Sequence, residues 1–235
     1  YTDDKSNLIS KYNEKGYRDA QIISDSIYPV SSRRINIDIK VNEGNRYYFR
    51  NISWIGNTKY TSAELNKVLG IKPGDVYNAK RLESSLYMSE SSRDITSLYM
   101  DDGYLFFNID PVEVSAENDS IDLEMRIYEG KQARINHVTV KGNTKTNDRV
   151  ILREIRTKPG QLFSRSDIIR TQRELSQLGY FNPEKMGVNP KPNPVDGTVD
   201  IEYEVEERPN DQVELSGGWG ANQVVGTLGV TFNNF

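Results

Sequence analysis

The 235-residue sequence has no cysteine, a single histidine and only four methionines. Without cysteine there is no disulfide framework, thiolate nucleophile or cysteine-held metal. A lone histidine leaves little for imidazole catalysis. No excess of positive charge is present either: 30 basic and 34 acidic residues are interspersed, for a net charge of −4. No basic stripe is available to neutralise phosphates, so no nucleic-acid partner is expected. Long apolar runs are also missing, and nothing approaches the roughly 18 residues of a membrane-spanning helix.

What the sequence does have is repetition. Glu43-Gly44, Gly56-Asn57-Thr58-Lys59 and Lys72-Pro73-Gly74 recur as Glu129-Gly130, Gly142-Asn143-Thr144-Lys145 and Lys158-Pro159-Gly160, all at an offset of 86 residues. Three motifs in one register define a tandem array of small units. The end of the unit appears a third time: Gly16-Tyr17, Gly103-Tyr104 and Gly179-Tyr180 open it, and it closes at Gly44, Gly130 and Arg208. The first copy shows only this back half and reads as a domain entered part-way. The expected division is therefore 1–44, 45–130, 131–209 and a distinct tail, 210–235.

Within a unit, Tyr47–Ile55 is aromatic and β-branched and predicts a strand ended by Gly56-Asn57. Ser62–Gly70 predicts a short helix with Leu65 and Leu69 on its buried face, matched by Ile151 and Ile155. Pro73-Gly74 and Pro159-Gly160 break the chain before a second helix, which Ser164 caps in the last copy. From Gly74 to Gly103 is 29 positions, against 19 from Gly160 to Gly179. The extra length holds Ser89–Asp94, where a broken or bulged helix is expected. The last strand alternates in every copy: Ile35, Ile37, Ile39 and Val41; Ile121, Leu123, Met125 and Ile127; Val199, Ile201, Tyr203 and Val205. One face is core and the other water. The fold class is thus α+β, each unit running β-α-α-β-β with a three-stranded mixed sheet and both helices on one face.

Proline then ranks the strands, because it cannot donate to a ladder and is confined to edges, ends and bulges. Pro29, Pro111, Pro190, Pro192 and Pro194 fall in the second strand and none in the third. The third strand is therefore central and the second an edge, open to pairing unless blocked. The candidate strand-binding residues are Gln21, Ile22 and Ile23 in the first copy and Leu105, Phe106, Phe107, Asn108 and Ile109 in the second. For Phe106 and Phe107, packing beneath neighbouring structure is the competing reading.

Other features read as structural. His137 corresponds to Asn51 and is an ordinary strand residue. Asp200, Glu202, Glu204 and Glu206 alternate along one strand and form a solvated face rather than a metal or acid pair. Gly217-Gly218-Trp219-Gly220 lacks the lysine and helix of a phosphate loop. No catalytic residue, cofactor or metal site is assigned. In the tail, Val224, Leu228, Val230 and Phe232 alternate with Val225, Thr227 and Thr231, the pattern of a transmembrane β-strand. Two such strands cannot close a barrel, so poor order or opportunistic pairing is expected after Asn210.

The order of elements, with Gly-Asn-Thr after the first strand, Pro-Gly between the helices and Gly-Tyr after the second, resembles the POTRA domain. Asp200–Arg208 followed by Gly217–Gly220 is similar to the junction between the last POTRA domain and the first barrel strand of BamA-type outer-membrane assembly proteins. The resemblance implies no enzyme activity. It implies a place at the periplasmic face of a Gram-negative outer membrane, anchored there by the barrel, with unfolded outer-membrane β-barrel proteins received by β-augmentation. Accessory outer-membrane lipoproteins would dock around Arg153, Glu154, Arg156 and Pro159, although Pro159 replaces the acidic residue that relatives place before the glycine. The alternative is the POTRA region of a two-partner secretion or TamA-type translocation pore.

Overall fold

Each first strand must stop at a glycine. Gly56 and Gly142 have φ of +88° and +91°, and a Cβ there would lie 2.1 and 1.9 Å from the carbonyl oxygens of Ile127 and Val205. Only glycine permits both the left-handed turn and this approach to the central strand. In the computed structural model, which describes residues 1–87, 89, 91–208, 212–220 and 223–231, two compact units form. One comprises Tyr1–Tyr99 with Phe106–Gly130, the other Met100–Leu105 with the chain from Lys131 on.

The first unit begins with helix α1 (Thr2–Glu14) and an antiparallel ribbon of β1 (Gln21–Ser31) and β2 (Arg34–Asn42). The sequence pattern places Ile35, Ile37 and Ile39 in a core, yet they are 63, 47 and 38% exposed. Helix α1 lies beside the ribbon, tied by Lys5 to Asp25 at 3.1 Å.

The rest of that unit is a complete repeat: β3 (Tyr48–Ile55), α2 (Ser62–Leu69), α3 (Ala79–Leu86), α4 (Ile95–Asp101), β4 (Asn108–Glu117) and β5 (Ser120–Tyr128). Thr61 and Glu64 form a full capping box at α2, and Gly70 closes it in the left-handed conformation. The second helix is broken, as the polar insert predicts. Asp94 binds it together by accepting from the Ser89 N–H and hydroxyl and from the Ser97 N–H and hydroxyl. Sheet order is β3-β5-β4, with β3 parallel and β4 antiparallel to β5. Phe49, Leu65, Leu69, Leu86, Ile95, Tyr99, Ile121 and Met125 are fully buried. Each contributes about 1.5–3 kcal/mol by leaving water.

The second unit repeats the plan with β6 (Arg134–Lys141), α5 (Asp148–Glu154), α6 (Arg165–Gln177), β7 (Gly187–Asn193) and β8 (Thr198–Glu204), a 3-10 turn at Pro183–Lys185 preceding β7. Its order is β6-β8-β7. Ser164 caps α6 by accepting the Asp167 N–H. Ile151, Ile155, Leu175, Phe181, Val199, Ile201 and Tyr203 make the core. Past Arg208, β9 (Gln212–Gly220) and β10 (Gln223–Thr231) pair with each other in an antiparallel ribbon, where opportunistic pairing or poor order was the expectation. Phe232 lies outside the described residues.

Candidate strand-docking rims

The central strands are β5 and β8, and the proline-bearing strands β4 and β7 lie at sheet edges. Pro29, Pro111, Pro190 and Pro192 sit within β1, β4 and β7, whereas Pro194 falls in the turn after β7. One rim per sheet is an undercount, because β3 and β6 are edges too. Their first halves are covered by the Pro-Gly segment. Phe49 N–H donates to the Asp75 carbonyl at 2.9 Å, and Ile135 N–H to that of Gln161 at 2.8 Å.

Which groups of β4 face outward follows from its ladder. Asn118 and Asp119, with φ of +50° and +60°, form a two-residue turn with both central residues left-handed. The flanking pair Glu117 and Ser120 is therefore hydrogen-bonded, and pairs alternate from there. A bulge at Val114 shifts the count by one, which makes Pro111 opposite Met125 a non-bonded pair. That is the register a proline requires. Ile109, Pro111 and Glu113 thus aim their main-chain groups away from the sheet. The Ile109 carbonyl confirms the direction, since it accepts the Tyr87 hydroxyl at 2.9 Å. In β7, Pro190 and Pro192 face Ile201 and Val199. Both positions point outward by the same logic, and neither has a donor.

The candidate residues separate accordingly. Leu105, Phe106 and Phe107 are not on the β4 edge, because the strand starts at Asn108 and they form the turn leading into it. Phe107 is buried and stacked on Tyr99 with ring centroids 4.1 Å apart, and Phe106 packs against Gly130. Phe107 is therefore committed to packing within the repeat, and Phe106 is half-buried. Ile109 is in the strand with its side chain in the core. Asn108 is on β4, but its main chain bonds to β5. Gln21, Ile22 and Ile23 lie in β1, with Ile23 at a bulge and 57% exposed.

The acidic strand is not uniformly solvated. Glu202 is only 9% exposed, held by Lys141 at 2.7 Å and Lys191 at 3.3 Å. Asp200 accepts from the Asn136 amide at 2.9 Å and the His137 N–H at 3.1 Å, with the His137 ring nitrogen 3.2 Å away. Around the lipoprotein-docking residues, Arg153 and Glu154 end α5 and pair with each other at 2.8 Å. Arg156 is committed to Glu174, and Pro159 is exposed in the following loop.

Sequence reasoning also missed a carboxylate clasp that recurs with the repeat. Glu129 accepts from the Thr58 N–H at 2.8 Å, the Lys59 N–H at 2.9 Å, the Thr58 hydroxyl and the Tyr99 hydroxyl at 2.9 Å. Glu207 accepts from the Thr144 hydroxyl at 2.6 Å, the Lys145 N–H at 3.0 Å and the Thr146 N–H at 2.6 Å. Burial opposes ionisation of Glu207, but these donors outweigh it and hold its carboxyl down to about 2. The same balance lowers Glu129. Glu43, one copy earlier, accepts from Tyr12 at 3.1 Å. The signal lay in the repeated Gly-Asn-Thr-Lys loop and in the acid that ends each complete copy, Glu129 and Glu207.

A family model described as surface antigen variable number repeat, POTRA, matches residues 47–130 and 133–208. The chain belongs to the POTRA family. Over 223 residues this POTRA chain is 27% identical to the outer membrane protein assembly factor BamA of Neisseria meningitidis, a match covering 93% of the chain and 27% of that protein. It is 29% identical over 194 residues to BamA of Nitratidesulfovibrio vulgaris, covering 82% of the chain and 24% of the relative. The POTRA chain thus spans about a quarter of the length of these relatives. Among solved structures, POTRA domains 3–5 of Haemophilus influenzae BamA share the fold with a TM-score of 0.67 and 23% identity, over 88% of this chain and 80% of that one.

Proposed function

We propose that this POTRA array is the periplasmic substrate-docking arm of an outer-membrane β-barrel assembly protein, receiving unfolded barrel strands by main-chain pairing at its sheet rims. The carrying observation is the β3-β5-β4 order, which leaves β4 at an edge with the outward main-chain groups of Ile109, Pro111 and Glu113. Main-chain recognition suits many clients, because every extended segment offers the same N–H and C=O spacing. Attachment to an outer membrane is supported by the alternating tail and by the likeness to BamA. Accessory lipoproteins are the proposed partners of the exposed end of α5 at Arg153 and Glu154, with Arg156 and Pro159 shaping the loop beside it.

The docking reading is tested with two peptides of equal length and net charge. One alternates apolar and polar residues, and the other carries proline at every third position and cannot form a strand. Fluorescence anisotropy should show binding of the first only. Equal affinity for both would remove strand pairing as the mode of recognition.

A further inference from the structure

The two complete sheets treat their proline-bearing rims differently. On β7 the outward positions Pro190 and Pro192 have no N–H at all, so two successive donors are missing for good. On β4 only Pro111 lacks its donor. The neighbouring outward acceptor, the Ile109 carbonyl, is occupied by a side chain: the Tyr87 hydroxyl at 2.9 Å. Tyr87 follows the last residue of α3 and opens the segment that makes this copy ten residues longer than the other. Its hydroxyl is part-buried and the residue is 38% exposed. Burial, with Asp110 and Glu83 nearby, pushes the phenol up, so it remains a donor through neutral pH.

We propose that Tyr87 is a displaceable plug on the β4 rim, and that Ile109–Glu113 is a docking register for one extended transmembrane-type strand. The guest N–H replaces the tyrosine hydroxyl at the Ile109 carbonyl, while the Pro111 carbonyl and both main-chain groups of Glu113 complete the register. The Val114 bulge ends it. One hydrogen bond is exchanged for another, so the cost of docking is the release of Tyr87. Among the described residues the β7 rim has two fixed gaps, at Pro190 and Pro192, where β4 has one. This inference rests on the strand-pairing reading above.

The test uses a labelled nine-residue peptide with the sequence Gln223–Thr231, an alternating strand supplied by this chain itself, and the full chain as wild type, Tyr87→Phe, Glu113→Ala and Glu113→Pro. Phenylalanine keeps the ring and removes the competing donor, so affinity should rise by roughly threefold to tenfold, the worth of one neutral hydrogen bond. Glu113→Pro removes an outward donor without touching the ladder and should weaken binding about tenfold relative to Glu113→Ala, which loses the same ion pair to Arg18. If proline weakens binding but Tyr87→Phe leaves it unchanged or weaker, the plug is wrong and rim docking stands. If Glu113→Pro and Glu113→Ala bind alike, or neither wild type nor Tyr87→Phe binds, the peptide does not use this rim and both ideas fall.

Discussion

Replacing Glu207 by glutamine should loosen the second unit and leave the first intact. The carboxylate gathers donors from three consecutive residues, Thr144, Lys145 and Thr146, and glutamine offers them one neutral oxygen and an NH2 that repels an N–H. A fall in pKa from 4.5 to about 2 corresponds to about 3 kcal/mol if taken whole. Glu207 is only half-buried, so solvent screening reduces this to roughly 1–2 kcal/mol. The folded pKa lies below the unfolded one, so the contribution is complete above about pH 4.5 and disappears as pH falls towards 2. Hydrogen exchange read by mass spectrometry should show β6 and β8 amides of the variant exchanging about 5–30 times faster at pH 7. Peptides from β5 should be unaffected, and in urea melts the gap between wild type and variant should close between pH 4.5 and 2. A variant matching wild type at pH 7, or a gap that persists at pH 2, would refute the electrostatic account of the clasp.

Gly142→Ala should be more damaging, since its Cβ would meet the Val205 carbonyl oxygen at 1.9 Å with φ at +91°. We expect roughly 2–4 kcal/mol of destabilisation, read as an earlier urea midpoint, whereas Gly160→Ala, with nothing within 4 Å, should show only the smaller cost of its positive φ. Reversing the charges of Arg153 and Glu154 together should reduce co-purification of outer-membrane lipoproteins with the full-length protein. Undiminished capture would remove the docking proposal at α5.

Much of the fold was legible because it rests on local rules that repeat. Glycine ended the first strands, Ser164 opened the last helix, and alternation marked the central strands. Proline located the β4 and β7 rims, since the missing donor is a property of the residue itself. The candidate site was less legible. Leu105, Phe106 and Phe107 have strand-forming side chains, but Phe107 gains more by stacking on Tyr99 than by joining a ladder. The partial cover on β3 comes from main-chain groups of Gly74 and Asp75, whose bonds to Phe49 leave no mark in residue type. Tyr87 and the two clasping glutamates act across 22, about 70 and about 62 positions respectively, and spacing statistics alone do not reveal such pairings. Glu202 was misread as solvated because strand alternation assigns a face but not what lysines reach over it.

The bare face of the β1–β2 ribbon has a practical consequence. Ile27, Ile35, Ile37 and Ile39 present neighbouring exposed aliphatic surface among the described residues, and such surface seeks any other oily body within reach. In concentrated stocks of this chain that body will be a second molecule, so light scattering should grow with protein concentration and with sulfate. Lysine or glutamate at Ile35 and Ile37 should keep the solution clear while leaving the two folded repeats as they are.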